Sequence, residues 1–335
     1  MKPTRPQLLV CAAAILAIAL AALFPGPARG HLSAAFGALR GADSNWLGIA
    51  ALGFTASFAC TVGAWTAAFG AAGGRICPRQ AGARLGIGQL VNCFAPARLG
   101  DAVKIALCSR AIDAPGRIWR AGGVYAALSA ARCLSLATLV VAAAVTGALP
   151  WWPVVVLCGF VGVLAVAGAL SGRLRGLREG RLAQVFAGLA ALERSPRAIA
   201  TVLGWTFGMA GARLFATIAV AAALGLPHPV LAALVIMPAL DVAAAFPITP
   251  GAAGIGSGAV AVALAGRGIG MADALGTGIA MQALESAVSI GAGTLGILYL
   301  AQSRAAVRVW TRRVATVGVS VAGAAVVSAL VLNLT

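Results

Sequence analysis

The sequence predicts an all-α polytopic membrane protein, a transmembrane helical bundle of about seven full spans plus two Pro/Gly-broken re-entrant hairpins. Three observations predict it. Charge is scarce: 10% of the 335 residues are charged and 61% are hydrophobic. A soluble domain carries about 25% charged residues, so this chain cannot clothe a water-facing surface. The apolar residues also come in long runs, such as 140–145 and 154–170, and about 20 apolar residues of helix cross the hydrocarbon core. Finally, Ala, Leu and Gly dominate and the alternation of a membrane strand is missing. The 43 glycines suit close helix–helix approach in lipid. The expectation is a single integral membrane domain over 1–335, with weak internal halves about 1–150 and 151–335 and no soluble domain.

The predicted spans are 7–24, 46–69, 119–147, 153–170, 198–224, 274–300 and 314–334. The first resembles a signal peptide in its basic start at Lys2 and Arg5. Its apolar stretch, Leu8 to Phe24, exceeds the usual 7–15 residues of such a segment and ends at Phe24-Pro25-Gly26-Pro27 with no A-x-A site. An uncleaved helix is therefore expected.

The net charge of +17 is distributed between the apolar runs, as topology signals are, and not as a phosphate-tracking stripe. Nucleic acid is not an expected partner. Lys2 and Arg5 put the N-terminus in the cytoplasm, and the expected location is the inner (plasma) membrane. Four further basic regions then share the cytoplasmic side: Arg75, Arg79 and Arg84; Arg110, Arg117 and Arg120; the arginines of 173–197; and those of 304–313. The outer side receives Arg29, Arg40 and Arg267. This arithmetic requires that region 85–110 return to the cytoplasmic face and region 230–266 to the outer face. Re-entrant hairpins satisfy it, and so do two full spans per region; a single span does not. Residues 25–45 carry Leu32, Phe36 and Leu39 at helical spacing and predict a short interfacial helix. Residues 173–195 read either as an amphipathic helix on the cytoplasmic leaflet or as a plain basic loop.

The chemistry concentrates at the two interruptions. The first turns through Asn92, Pro96, Arg98, Gly100, Asp101 and Lys104. Pro96 breaks one helix, and a new one can begin near Leu99. A helix N-terminus presents free N–H groups to an anion, and Arg98 adds a guanidinium fork suited to phosphate. Asp101 either holds Arg98 or answers the helix dipole. The second turns through Pro247, Pro250, Gly251, Gly254 and Ser257. Paired broken elements in two halves of a chain point to a binding site near the bilayer midplane. The spans hold four more ionisable residues, Arg132, Arg213, Asp241 and Glu285. Each costs about 2.5–3.5 kcal/mol on insertion scales, so each should face protein or water. They either line a polar path for a charged headgroup or pair between helices, for example Arg213 with Asp241.

No catalytic constellation is visible, and no activity as an enzyme is expected. The seven cysteines form no C-x-x-C and lie mostly in apolar segments; His31 and His228 are far apart in predicted loops. No cofactor or metal is expected.

At the two turns the chain resembles the transmembrane region of lysylphosphatidylglycerol synthases, part of a wider group of flippase-like membrane proteins. The family pattern N-x-x-x-P-x-R-x-G-E-x-x-R is met by Asn92, Pro96, Arg98, Gly100, Asp101 and Lys104, and the pattern P-x-x-P-G-G-x-G-x-x-E by Pro247, Pro250, Gly251 and Gly254. The similarity covers roughly residues 45–300. There are departures. Asp101 stands for Glu, Lys104 for Arg, and Ser257 for Glu; Ala131 and Ser135 replace the acids flanking Arg132, and Gln282 appears where Arg is common. The resemblance implies lipid handling or translocation and not synthase activity. The leading expectation is a flippase-like protein that moves an anionic or polyprenyl-phosphate-linked lipid between leaflets. The alternatives are a membrane-embedded enzyme on lipid-linked substrates and a non-transporting partner of a lipid-processing synthase or glycosyltransferase. Membrane lipids are the expected partners throughout.

Overall fold

The structure, a computed structural model, describes residues 41–95, 99–113, 116–151, 154, 155, 159, 195–245 and 254–303. Among them every regular element is helical. In chain order these are α1 (Ser44–Ala71), α2 (Pro78–Phe94), α3 (Leu99–Cys108), α4 (Arg117–Val145), α5 (Pro196–Ala223), α6 (Pro229–Ala245), α7 (Ile255–Ala265) and α8 (Met271–Ser303).

Local chemistry sets the boundaries. The Asp43 carboxylate accepts the Asn45 N–H at 2.8 Å and starts α1. The Ser195 hydroxyl accepts the Ala198 N–H at 3.3 Å ahead of Pro196, the first residue of α5. Ala95 precedes a proline and is extended (φ −102°, ψ 138°), which ends α2. Gly254, at φ 83°, supplies a turn before α7 that an L-residue would resist.

Helices α1, α4, α5 and α8 are long and apolar enough to cross a membrane. They correspond to predicted spans 46–69, 119–147, 198–224 and 274–300. Spans 7–24 and 314–334, nearly all of 153–170, and most of segments 25–45 and 173–195 lie outside the described residues. One boundary differs from expectation: α2 begins at Pro78, ahead of the interrupted region expected from 85, so the basic residues Arg79 and Arg84 lie on a helix. Pro78 favours that start, because a helix's first N–H has no intrahelical partner to lose. The polar Arg79-Gln80 hid it from a hydropathy reading.

The order of elements recurs. Helices of 28, 17, 10 and 29 residues are followed by helices of 28, 17, 11 and 33. Packing recurs with it. α1 lies along α5; α2 packs closely on α8 and α6, more lightly, on α4; and α2 folds back with α3 as α6 does with α7. The α1–α5 pair is antiparallel. The Asp43 N–H donates to the Ala223 carbonyl at 3.0 Å, Gly53 faces Ala216, the Ser57 hydroxyl donates to the Met209 carbonyl at 3.1 Å, and Gly63 faces Trp205. Between α2 and α8 the backbones nearly touch. Gly86 abuts Ala292, Gly293 abuts Leu90, and Gly296 abuts Ala83, with no room for a Cβ. Close approach through small residues is how helices gain contact in lipid, where burial from water cannot drive them together.

Candidate functional site

The four ionisable residues of the spans converge on one cavity of about 330 Å³ between α1, α4, α5, α6 and α8. Arg213, on α5, donates from Nη1 to Asp241 Oδ1 at 2.8 Å and from Nη2 to Glu285 Oε2 at 3.5 Å. It therefore ties α6 and α8 to α5 across the cavity. Asp241 and Glu285 are both engaged by this one guanidinium. Arg132, on α4, lines the same cavity. Among the described residues its guanidinium makes no hydrogen bond or ion pair. The remaining polar wall includes Ser57, Thr61, Ser129 and Tyr125, together with Gln89, whose Oε1 accepts the Ser289 hydroxyl at 2.8 Å.

Behind the Tyr125 wall stands a second network. Asp101, in the first turn of α3, accepts three side-chain donors: Lys104 Nζ at 2.8 Å and Asn92 Nδ2 at 3.1 Å on Oδ1, and the Tyr125 hydroxyl at 3.0 Å on Oδ2. These join α2, α3 and α4. Lys104 is buried, and an acid beside it spares the chain an uncompensated charge. Gly100 sits where any Cβ would meet the Gly88 carbonyl and Asn92. The tight crossing of α2 and α3 therefore needs glycine.

Residues 9–293 match the family model described as the lysylphosphatidylglycerol synthase TM region. The chain belongs to this family. It is a multi-pass membrane protein, and its cavity and Asp101 network both fall inside the matched region. No curated protein and no solved structure matches it significantly.

Within this family member, the sequence-derived site residues divide. Asn92, Gly100, Asp101 and Lys104 come together as one network. Asp101 takes Lys104, Asn92 and Tyr125 as partners; Arg98, named from sequence as its possible partner, lies outside the described residues with Pro96, Pro250 and Gly251. Ser257 and Gly254 are near each other, the Ser257 hydroxyl donating to the Gly254 carbonyl at 3.2 Å. Neither lines the cavity. Ser257 instead packs against Gly278 of α8. Arg132, Arg213, Asp241 and Glu285 all line the cavity; Arg213 pairs with Asp241 as one of the two expectations had it, and among the described residues Arg132 makes no such pair. Sequence reasoning missed Tyr125. The available signal was its rarity, as one of two tyrosines, and its position two helical turns before Arg132 on the same face.

Proposed function

We propose that this protein binds the phosphate-bearing headgroup of a membrane lipid in the cavity and carries it between leaflets. The observation that supports this reading is the Arg132 guanidinium, which lines the cavity inside a membrane domain and, among the described residues, makes no hydrogen bond or ion pair. A charge at that depth costs about 2.5–3.5 kcal/mol on insertion scales, and a guanidinium matches phosphate geometry with two parallel N–H donors. Hydroxyls at Ser57 and Ser129 extend the polar wall. The family assignment supports a lipid as the ligand, since the family's description names a phospholipid synthase's transmembrane region.

Re-entrant topology fits this reading. The Arg75 N–H donates to the Ala111 carbonyl at 3.0 Å, so the chain leading into α2 meets the chain leaving α3. After α7, Arg267 Nη1 donates to the Gly147 carbonyl at 2.9 Å, beyond the end of α4. With the basic loops cytoplasmic, the first pair returns to the cytoplasmic face of the inner membrane and the second to the outer face. The halves are then inverted relative to one another, the arrangement that permits alternating access to one site.

The paired acids favour transport over chemistry, because Asp241 and Glu285 are both held by Arg213 and neither is free as a general base. Scrambling of labelled phospholipid in proteoliposomes tests the proposal. Arg132→Ala is expected to slow it about tenfold or more, the scale of a charged hydrogen-bonded contact, and Arg132→Lys to recover part of the rate. An unchanged rate in Arg132→Ala overturns the headgroup site. Absent transport by the isolated wild-type chain, with stable co-purification of a synthase or glycosyltransferase, would replace transport with an assembly role.

A further inference from the structure

A second cavity, about 750 Å³, opens between α1, α2 and α8. Its floor is small and apolar, made by Gly82, Ala83, Gly291, Ala292, Leu295 and Gly296. Because Ala83 meets Gly296 and Gly86 meets Ala292, α2 and α8 run antiparallel. Arg79, at the start of α2, therefore lies at the same end of the groove as Tyr299, near the end of α8. Both are exposed, and Arg79 makes no hydrogen bond or ion pair among the described residues. An arginine beside a tyrosine is the pairing expected at a membrane–water interface.

From Tyr299 to Val288, α8 rises about 16 Å at about 1.5 Å per residue. That is close to half of the ~30 Å hydrocarbon thickness, or one leaflet. At the deep end, Phe58 and Val288 line both this groove and the polar cavity. The groove thus has a cation at its mouth, one leaflet of apolar length, and a wall shared with the proposed headgroup site.

We propose that this groove holds one acyl chain of a glycerophospholipid from the leaflet at the Arg79 end. Its phosphate rests on Arg79, its chain end reaches Phe58 and Val288, and those two side chains form the partition between the groove and the polar cavity. The occupant follows from the lining. Gly291, with open space around it, leaves width for a polymethylene chain, the length matches one leaflet, and the mouth carries the charge complementary to a phosphate. This inference rests on the lipid-handling reading of the polar cavity.

The test uses the full chain in phosphatidylcholine vesicles doped with phosphatidylglycerol that bears a diazirine at one chain end, followed by irradiation and peptide mapping. Label is expected at Phe58 and between Val288 and Ala292. Gly291 has open space where a Cβ would stand and lines the groove, so Gly291→Trp places a large side chain in it. That variant is expected to lose labelling about tenfold, the scale of two lost methylene contacts. Arg79→Ala is expected to reduce labelling by the phospholipid probe and to spare labelling by an uncharged diacylglycerol probe. Label spread evenly over the outer helix faces, or unchanged in Gly291→Trp, overturns the groove. Stronger labelling of the same residues by a polyprenyl-phosphate probe overturns the acyl assignment. Arg132→Ala separates the two proposals: intact groove labelling with unchanged scrambling removes the headgroup site and leaves the groove standing.

Discussion

The two broken helix pairs occupy matching places in the two halves of the chain, yet opposite chemistry holds them. In the first, Gly100 and Asp101 are the second and third residues of α3, and Asp101 gathers donors from α2, α3 and α4. In the second, Gly256 and Ser257 are the second and third residues of α7, and among the described residues Ser257 bonds within its own turn alone while packing on Gly278. The carboxylate of that helix pair lies one helix earlier, at Asp241, and pairs with Arg213. A directional buried network pins α3 in one position. Small-residue contact leaves α7 with few polar bonds to break if it shifts. The carboxylate that the resemblance implies at Ser257 is absent, and its absence leaves the second helix start uncharged.

The largest effect that tests this contrast is expected from Asp101→Ala. It leaves Lys104 buried without its carboxylate and removes the acceptor of Tyr125 and Asn92. A loss of about 3–5 kcal/mol is expected, read as a lowered thermal midpoint in detergent, with Asp101→Asn recovering part by keeping an acceptor. Next come the paired glycines. Gly100→Ala drives a methyl into the Gly88 carbonyl and is expected to cost about 1–3 kcal/mol. Gly256→Ala meets the flexible end of Gln282 at 3.2 Å and is expected to fall within about 0.5 kcal/mol of wild type, helped by alanine's helix propensity. An effect just as small is expected from Ser257→Ala, about 0.6 kcal/mol for one hydrogen bond in a membrane setting. Equal losses in Asp101→Ala and Ser257→Ala would erase the distinction between the two pairs. Hydrogen exchange sharpens it further: amides of Ile255–Ala265 are expected to exchange faster than those of Leu99–Cys108.

Much of the fold was legible before any coordinates. Spans 46–69, 119–147, 198–224 and 274–300 correspond to α1, α4, α5 and α8, because hydropathy over twenty residues is a local property. The break after Phe94 was legible because proline restricts the residue before it, and Ala95 is extended. The start of α2 was not, since Arg79 and Gln80 read as loop until packing shows them on a helix. At the site, Arg213 pairing with Asp241 was one of two readings. That Glu285 shares the same guanidinium was outside sequence reach, as was the Tyr125 bond to Asp101.

The sequence by itself determined the membrane setting, the helical form, the two interruptions and the identity of the costly charges, because each follows from composition or from the conformational limits of proline and glycine. Tertiary structure decided which charges meet. Gln89 and Ser289 bond at 2.8 Å because α2 and α8 run antiparallel where glycine lets their backbones close, and Arg213 reaches both Asp241 and Glu285 because α5 packs against α6 and α8. Spacing along the chain carries no information about such pairs. Of the two membrane arginines, packing gave both acids to Arg213 and left Arg132 facing the cavity.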